Sequence, residues 1–226
     1  KTAFLLNVIR NVISGQGIPV LFFSLEQPLA QIYERTVQIS TEEPGRRVEE
    51  GFLLEKAADT LHSLVSHFYK SLYVVDEDML TYEELKEYIQ VAARDKINQI
   101  PPLVCIDYLG RMRGGRGTAY EVTSELARLL KKLAKELDIA IIYLHQTSRM
   151  GKTGAEEISL DMARDSGVVE EAADFIIGMW RPDMNKPEFQ ESDEERIVIA
   201  VLKNRKGRLG KAEYKFKKTY LKIEEA

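Results

Sequence analysis

Three short apolar runs constrain this chain more than any other feature: VLFF at residues 20–23, LVCI at 103–106 and AIIYL at 140–144. Each is too short to be a helix of its own, and each soon closes on a polar side chain: Glu26, Asp107 and Gln146. Helix-period stretches lie between them; in the first, Phe4, Leu5, Val8, Ile9 and Val12 recur at spacings of three and four. A strand that is apolar at consecutive positions is buried on both faces, which calls for a parallel sheet with helices on either side. Open parallel sheets place ligands at the carboxyl ends of their strands, so the three polar closers are expected to share one rim.

The spacing predicts helices over 3–14, 28–39, 48–69, 82–95 and 118–137. Gly15, Gly17 and Pro19 end the first, and Thr81 caps the fourth with Glu84 as its capping-box partner. LYVVDED and FIIGMW read as further strands, and TEEPGRR, RMRGGRG, 147–160 and 182–195 as loops. Beyond these the pattern changes: RIVIAVLKNR, AEYKFKK and TYLKIEE read as adjacent antiparallel strands. The expected architecture is one α/β domain over residues 1–226, a mainly parallel sheet flanked by helices with antiparallel strands at its C-terminal end.

Composition narrows the function. The 226 residues are 44% hydrophobic and 30% charged, and no apolar run approaches the roughly 20 residues that span a bilayer. No secretory pattern opens the sequence, and a lone cysteine, Cys105, supplies no disulfide framework. A cytoplasmic, membrane-free location is therefore expected. His62, His67 and His145 lack metal-ligand spacing. The net charge of -4 conceals an uneven distribution: Lys203–Lys222 holds nine basic residues against one acid, Glu213. Local basic segments on an acidic chain suit contact with a polyanion, or simply a solvated surface.

The first two residues, Lys1 and Thr2, match the last letters of a G-x-x-x-x-G-K-[ST] phosphate loop, with the apolar helix that should follow. Lysine there meets the outer phosphates of a nucleotide and the hydroxyl meets Mg²⁺, both where a helix N-terminus favours anions. Asp107 can hold that magnesium, Glu26 can polarise an attacking water, and Gln146 can sense a γ-phosphate and pass the signal to the loop behind it. An Asp at a strand end also serves as a plain cap. MGKTG at 150–154 is a decoy, because Gln146 stands where the phosphate loop needs its first glycine and no apolar helix follows.

These residues bring a family into view. KTAFLLNVIRNV, FFSLEQPLAQIYER, LVCIDYLGRM, LAKELDIAIIYLHQTSR, ARDSGVVEEAADFIIGMWR and LKNRKGRLG together resemble the RecA-like motor domain of replicative hexameric helicases of the DnaB type. The resemblance covers nearly the whole chain. It implies a RecA-like P-loop NTPase core that hydrolyses ATP with Mg²⁺ between the subunits of a homo-hexamer moving on single-stranded DNA. Lys1 and Thr2 would hold phosphates and magnesium, Asp107 the magnesium, and Glu26 would be the catalytic base. Arg35 would lie near the nucleotide, Gln146 would sense the γ-phosphate, and Lys203 and Arg205 would reach into the neighbouring subunit's site. Arg164, Asp165 and Gly167 would line the DNA channel, with RMRGGRG a second DNA-facing loop.

The likeness has gaps. The first strand and the glycine half of the phosphate loop are expected ahead of Lys1, and any primase or loader contact would run through an amino-terminal domain outside this sequence. His145 stands where the family pattern expects a small residue, and the acidic segment 182–195 lacks channel-like features. A RecA-like ring ATPase or recombinase that does not unwind duplex, or a non-catalytic assembly module, would account for part of the same pattern.

Overall fold

The computed structural model describes residues 1–146, 154–160, 167–186 and 192–226. They form two compact units, Lys1–His145 and Gln146–Ala226.

The first unit opens with α1 (Thr2–Gln16), which Gly17 ends in a left-handed conformation, its N–H returning to the Ile13 carbonyl. Next come β1 (Val20–Ser24), α2 (Leu29–Thr41) and a short α3 (Gly45–Glu49). Residues 55–71 are continuously helical: a 3₁₀ turn opens the run, α4 (Ala58–Ser63) follows, and a π turn leads into α5 (Tyr69–Ser71). After β2 (Leu72–Asp76) and β3 (Leu80–Thr81) come α6 (Tyr82–Ala92), β4 (Leu103–Asp107), β5 (Met112–Arg113), α7 (Ala119–Leu137) and β6 (Ala140–Tyr143). Two of the loop and helix expectations are thus corrected. TEEPGRR runs into a helix, because Pro44 can lead a helix that starts at Gly45. The long helix expected over 48–69 is present from Glu55 onward but starts later than expected, after Gly51, whose φ of 73° no right-handed helix accepts.

Four strands pair in parallel in the order β2-β1-β4-β6. Every residue of β1 and β4 is buried. Leu21, Phe23, Val104 and Ile106 pack on one side against Leu85 and Ile89 of α6 and Leu126, Leu130 and Leu133 of α7. The residues that alternate with them along the strands point to the other side, from which Thr2 reaches Asp107. Both supporting helices begin with capping boxes, Thr81 with Glu84 and Thr118 with Glu121, each worth about 1 kcal/mol.

The second unit contains α8 (Gly167–Ala172) and an antiparallel sheet in the order β10-β9-β8-β7, made of β7 (Phe175–Trp180), β8 (Glu194–Asn204), β9 (Gly210–Lys217) and β10 (Lys222–Glu225). The expected antiparallel ending is present, and FIIGMW, as β7, is part of it. Trp180, Val198 and Ala200 form its small core with Ile158 and Leu202.

Candidate active site

The amino end of α1 supplies the first groups. No side chain caps this helix and no acid lies in its first turn, so its leading N–H groups keep the positive end of the dipole. Leu5, Leu6, Ile9 and Ile13 are buried along one face and fix the helix in place. Thr2, 8% exposed, donates its hydroxyl to Asp107 Oδ2 at 2.6 Å, across a sequence separation of 105. Asp107 itself is 3% exposed at the last position of β4.

Register brings the remaining groups to the same edge. Ser24, the last residue of β1, lies opposite Asp107 on one side and Asp76 on the other. The Leu25 N–H donates to the Asp107 carbonyl at 2.8 Å, so the chain leaves β1 tied to β4. Glu26 follows at once and is exposed. Burial raises the Asp107 carboxyl above its ordinary pKa; the Thr2 hydrogen bond and the Lys1 ammonium pull it back, while the Glu26 charge pushes it further up. Lys1 and Arg35 show the mirror image: desolvation lowers both, and Asp107 and then Glu26 hold them up. Lys1, Thr2, Glu26, Arg35 and Asp107 therefore share one electrostatic neighbourhood at the carboxyl rim of the parallel sheet.

The comparisons with known proteins bear on this rim. The family profile described as the DnaB-like helicase C terminal domain matches residues 1–225. The chain belongs to that family. Family membership implies nucleotide binding. The replicative DNA helicase DnaB of Pasteurella multocida (strain Pm70) is 31% identical over 227 residues, 96% of this chain and 47% of that protein. The chain spans about half the length of the curated relatives it matches. Among solved structures, one described as an ATPase domain superposes with a TM-score of 0.86 at 23% identity, covering 100% of this chain and 80% of that one. A DnaB-like replicative helicase described with its interactions with primase gives 0.85 at 22%, covering 100% and 56%. Those two likenesses concern the fold.

The other candidate residues of this DnaB-like domain fall in its second unit. Gln146 is its first residue and is exposed, three positions beyond the end of β6. Lys203 and Arg205 lie at the end of β8 and turn onto the C-terminus of α8. The Lys203 ammonium donates to the carbonyls of Glu170 and Glu171, and the Arg205 guanidinium to that of Glu171. Cations at the negative end of a helix dipole are favourably placed. Desolvation and then the Arg205 charge lower the pKa of Lys203. Gly167 is the first residue of α8 and is exposed, whereas Arg164 and Asp165 lie outside the described residues.

One residue escapes the sequence reading. Asp76 ends β2 as Asp107 ends β4, and it accepts the Leu29 N–H at 2.7 Å. Its signal was the same one, an apolar strand closing on a carboxylate, in LYVVD.

Proposed function

We propose that this chain is the ATPase motor domain of a replicative DNA helicase, acting as a homo-hexameric ring on single-stranded DNA in the cytoplasm. The observation that carries the reading is the 2.6 Å bond between Thr2 and Asp107, whose carboxylate is coupled electrostatically to Lys1, Glu26 and Arg35. It ties the start of an uncapped helix to the end of a buried strand and surrounds the junction with matched charges.

The donor set fits ATP with Mg²⁺. Backbone N–H groups of α1 and the Lys1 ammonium suit phosphate oxygens, and the Thr2 hydroxyl with the Asp107 carboxylate gives the hard oxygen ligands magnesium takes. Among the described residues no group of three or more His, Cys, Asp or Glu gathers as a metal site. Magnesium here would accordingly rely on phosphates and water for its other ligands. When bound, it supplies positive charge against the transferring phosphoryl group. Glu26 accepts the proton of the attacking water at a carboxylate oxygen, and its exposure leaves it open to that water. Arg35 adds positive charge from α2, and Gln146 contacts the γ-phosphate. Lys203 and Arg205 stabilise transition-state charge in the adjoining protomer, which makes turnover depend on assembly. Arg164, Asp165 and Gly167 grip the DNA backbone, with little need to read bases. A primase or loader would engage a part of the protein outside this domain.

The test uses the full-length protein. Glu26→Gln is expected to lower ATP hydrolysis about a hundredfold or more with the fold intact. Mixing Glu26→Gln protomers with Lys203→Ala protomers is expected to restore part of the activity, because some interfaces then combine an intact Glu26 with an intact Lys203. Hydrolysis by Glu26→Gln at the parental rate overturns the base assignment. A mixture no more active than its components overturns the shared site.

A further inference from the structure

The segment that carries Glu26 is pinned at three points. At its start, the Leu25 N–H donates to the Asp107 carbonyl at 2.8 Å. In the middle, the buried Ser24 hydroxyl donates to the Gln27 carbonyl at 2.6 Å and closes a tight turn that contains Glu26. At its end, the Leu29 N–H donates to Asp76 Oδ2 at 2.7 Å. Two of these ties are local or use backbone alone. The third crosses from β2 and depends on one side chain.

That third tie fills a gap which the local sequence leaves open. The N-cap position of α2 is Pro28, which has no side-chain acceptor, and no acid lies in the helix's first turn. The opening N–H groups of a helix need an acceptor, and a negative charge there also complements the dipole. Asp76 provides both from the neighbouring strand, whose last residue pairs in register with Ser24. Pro28 (φ −66°) is an inflexible link between the tied N–H and Glu26, so the position of Leu29 is handed back along the chain to the carboxylate. In the other direction α2 runs on to Arg35, so one tether aligns two charged groups of the rim.

We infer that Asp76 is a positioning residue for ATP hydrolysis: by borrowing the N-cap of α2 for β2, it sets the placement of Glu26, and of Arg35 behind it. The inference rests on the proposed role of Glu26. Misplacing a catalytic group by about 1 Å costs up to a hundredfold in rate, so a tether of this kind acts on turnover more than on substrate affinity. A plain helix cap would act on stability alone.

Four variants of the full-length protein separate these roles, each assayed for kcat, KM and thermal midpoint: Asp76→Ala, Asp76→Asn, Asp76→Ala combined with Pro28→Ser, and Glu26→Gln. Asp76→Ala is expected to lower kcat about tenfold with KM within about twofold of the parent. Asp76→Asn keeps a side-chain acceptor and is expected to recover most of that loss. Pro28→Ser offers α2 a local cap without the tie to β2; in the Asp76→Ala background it is expected to restore the melting temperature and leave kcat low. A double variant with parental kcat, or Asp76→Ala with unchanged kcat, overturns the inference while an inactive Glu26→Gln keeps the base assignment standing. An active Glu26→Gln overturns the base assignment itself.

Discussion

In the first unit every residue of β1 and β4 is buried, whereas in the second β9 leaves Lys211, Ala212, Glu213 and Lys215 exposed and the described core centres on Trp180, Val198 and Ala200. Charges fill the difference. Arg196 spans Asp183 and Glu213, Arg181 meets Glu195, and Lys217 and Lys222 both hold Glu224. The first unit has surface pairs too, such as Arg46 with Glu50 and Arg94 with Asp95, and it adds charges gathered at the rim, where burial works against the Asp107 carboxylate. A core packed on both faces of its sheet can offset the cost of a polar site buried at its edge. Among the described residues of the second unit the core is smaller, and surface pairs, each of small worth, accompany it.

The largest expected effect tests the core. Phe22→Ala removes a fully buried ring from the centre of the parallel sheet and should cost about 3–5 kcal/mol in denaturant unfolding. A loss below about 1 kcal/mol would erase the contrast between the units.

A smaller effect tests whether the rim is a burden on the fold. The native pKa of Asp107 lies above its unfolded value of about 3.9, so its charged form costs stability at neutral pH and costs nothing once both states are protonated. Asp107→Asn should therefore melt above the parent at pH 7 in nucleotide-free buffer, and the advantage should shrink as the pH falls toward about 4. An Asn variant that melts below the parent at pH 7 would show that the carboxylate stabilises the fold.

The smallest effect tests the charge lattice of the second unit. Two lysines hold the Glu224 carboxyl down at about 2, each at 2.8 Å. A depressed acid contributes stability above its unfolded pKa of about 4.3 and loses it as the pH falls through about 2. Glu224→Gln should cost no more than about 1 kcal/mol at pH 7, less in high salt, and progressively less as the pH falls from about 4 toward about 2.

What could be read from the sequence divides by range. Signals that act within one turn were legible: Thr81 caps α6 through Glu84, and Gly17 ends α1. Alternation in AEYKFKK and continuous apolarity in LVCI separated the largely exposed antiparallel strand β9 from the buried parallel strand β4. The strand closers Glu26 and Asp107 were legible as a pattern, and register explains why they meet: Ser24 and Asp107 end adjacent parallel strands. The cap of α2 was not legible, since the local rule looks to position 28, finds proline, and has no means of reaching Asp76, 47 residues away from Leu29. The helix over 55–71 was legible from the spacing of Leu61, Leu64 and Phe68, but its π turn at Leu64–Phe68 was not, because that spacing is the same whichever hydrogen bonds form.

The bond between Thr2 and Asp107 also governs which replacements position 2 can tolerate. Serine preserves the donor and gives up only a methyl group. Valine matches threonine in shape yet strips the buried carboxylate of its hydroxyl partner, so the substitution that looks mildest by volume is the more damaging of the two.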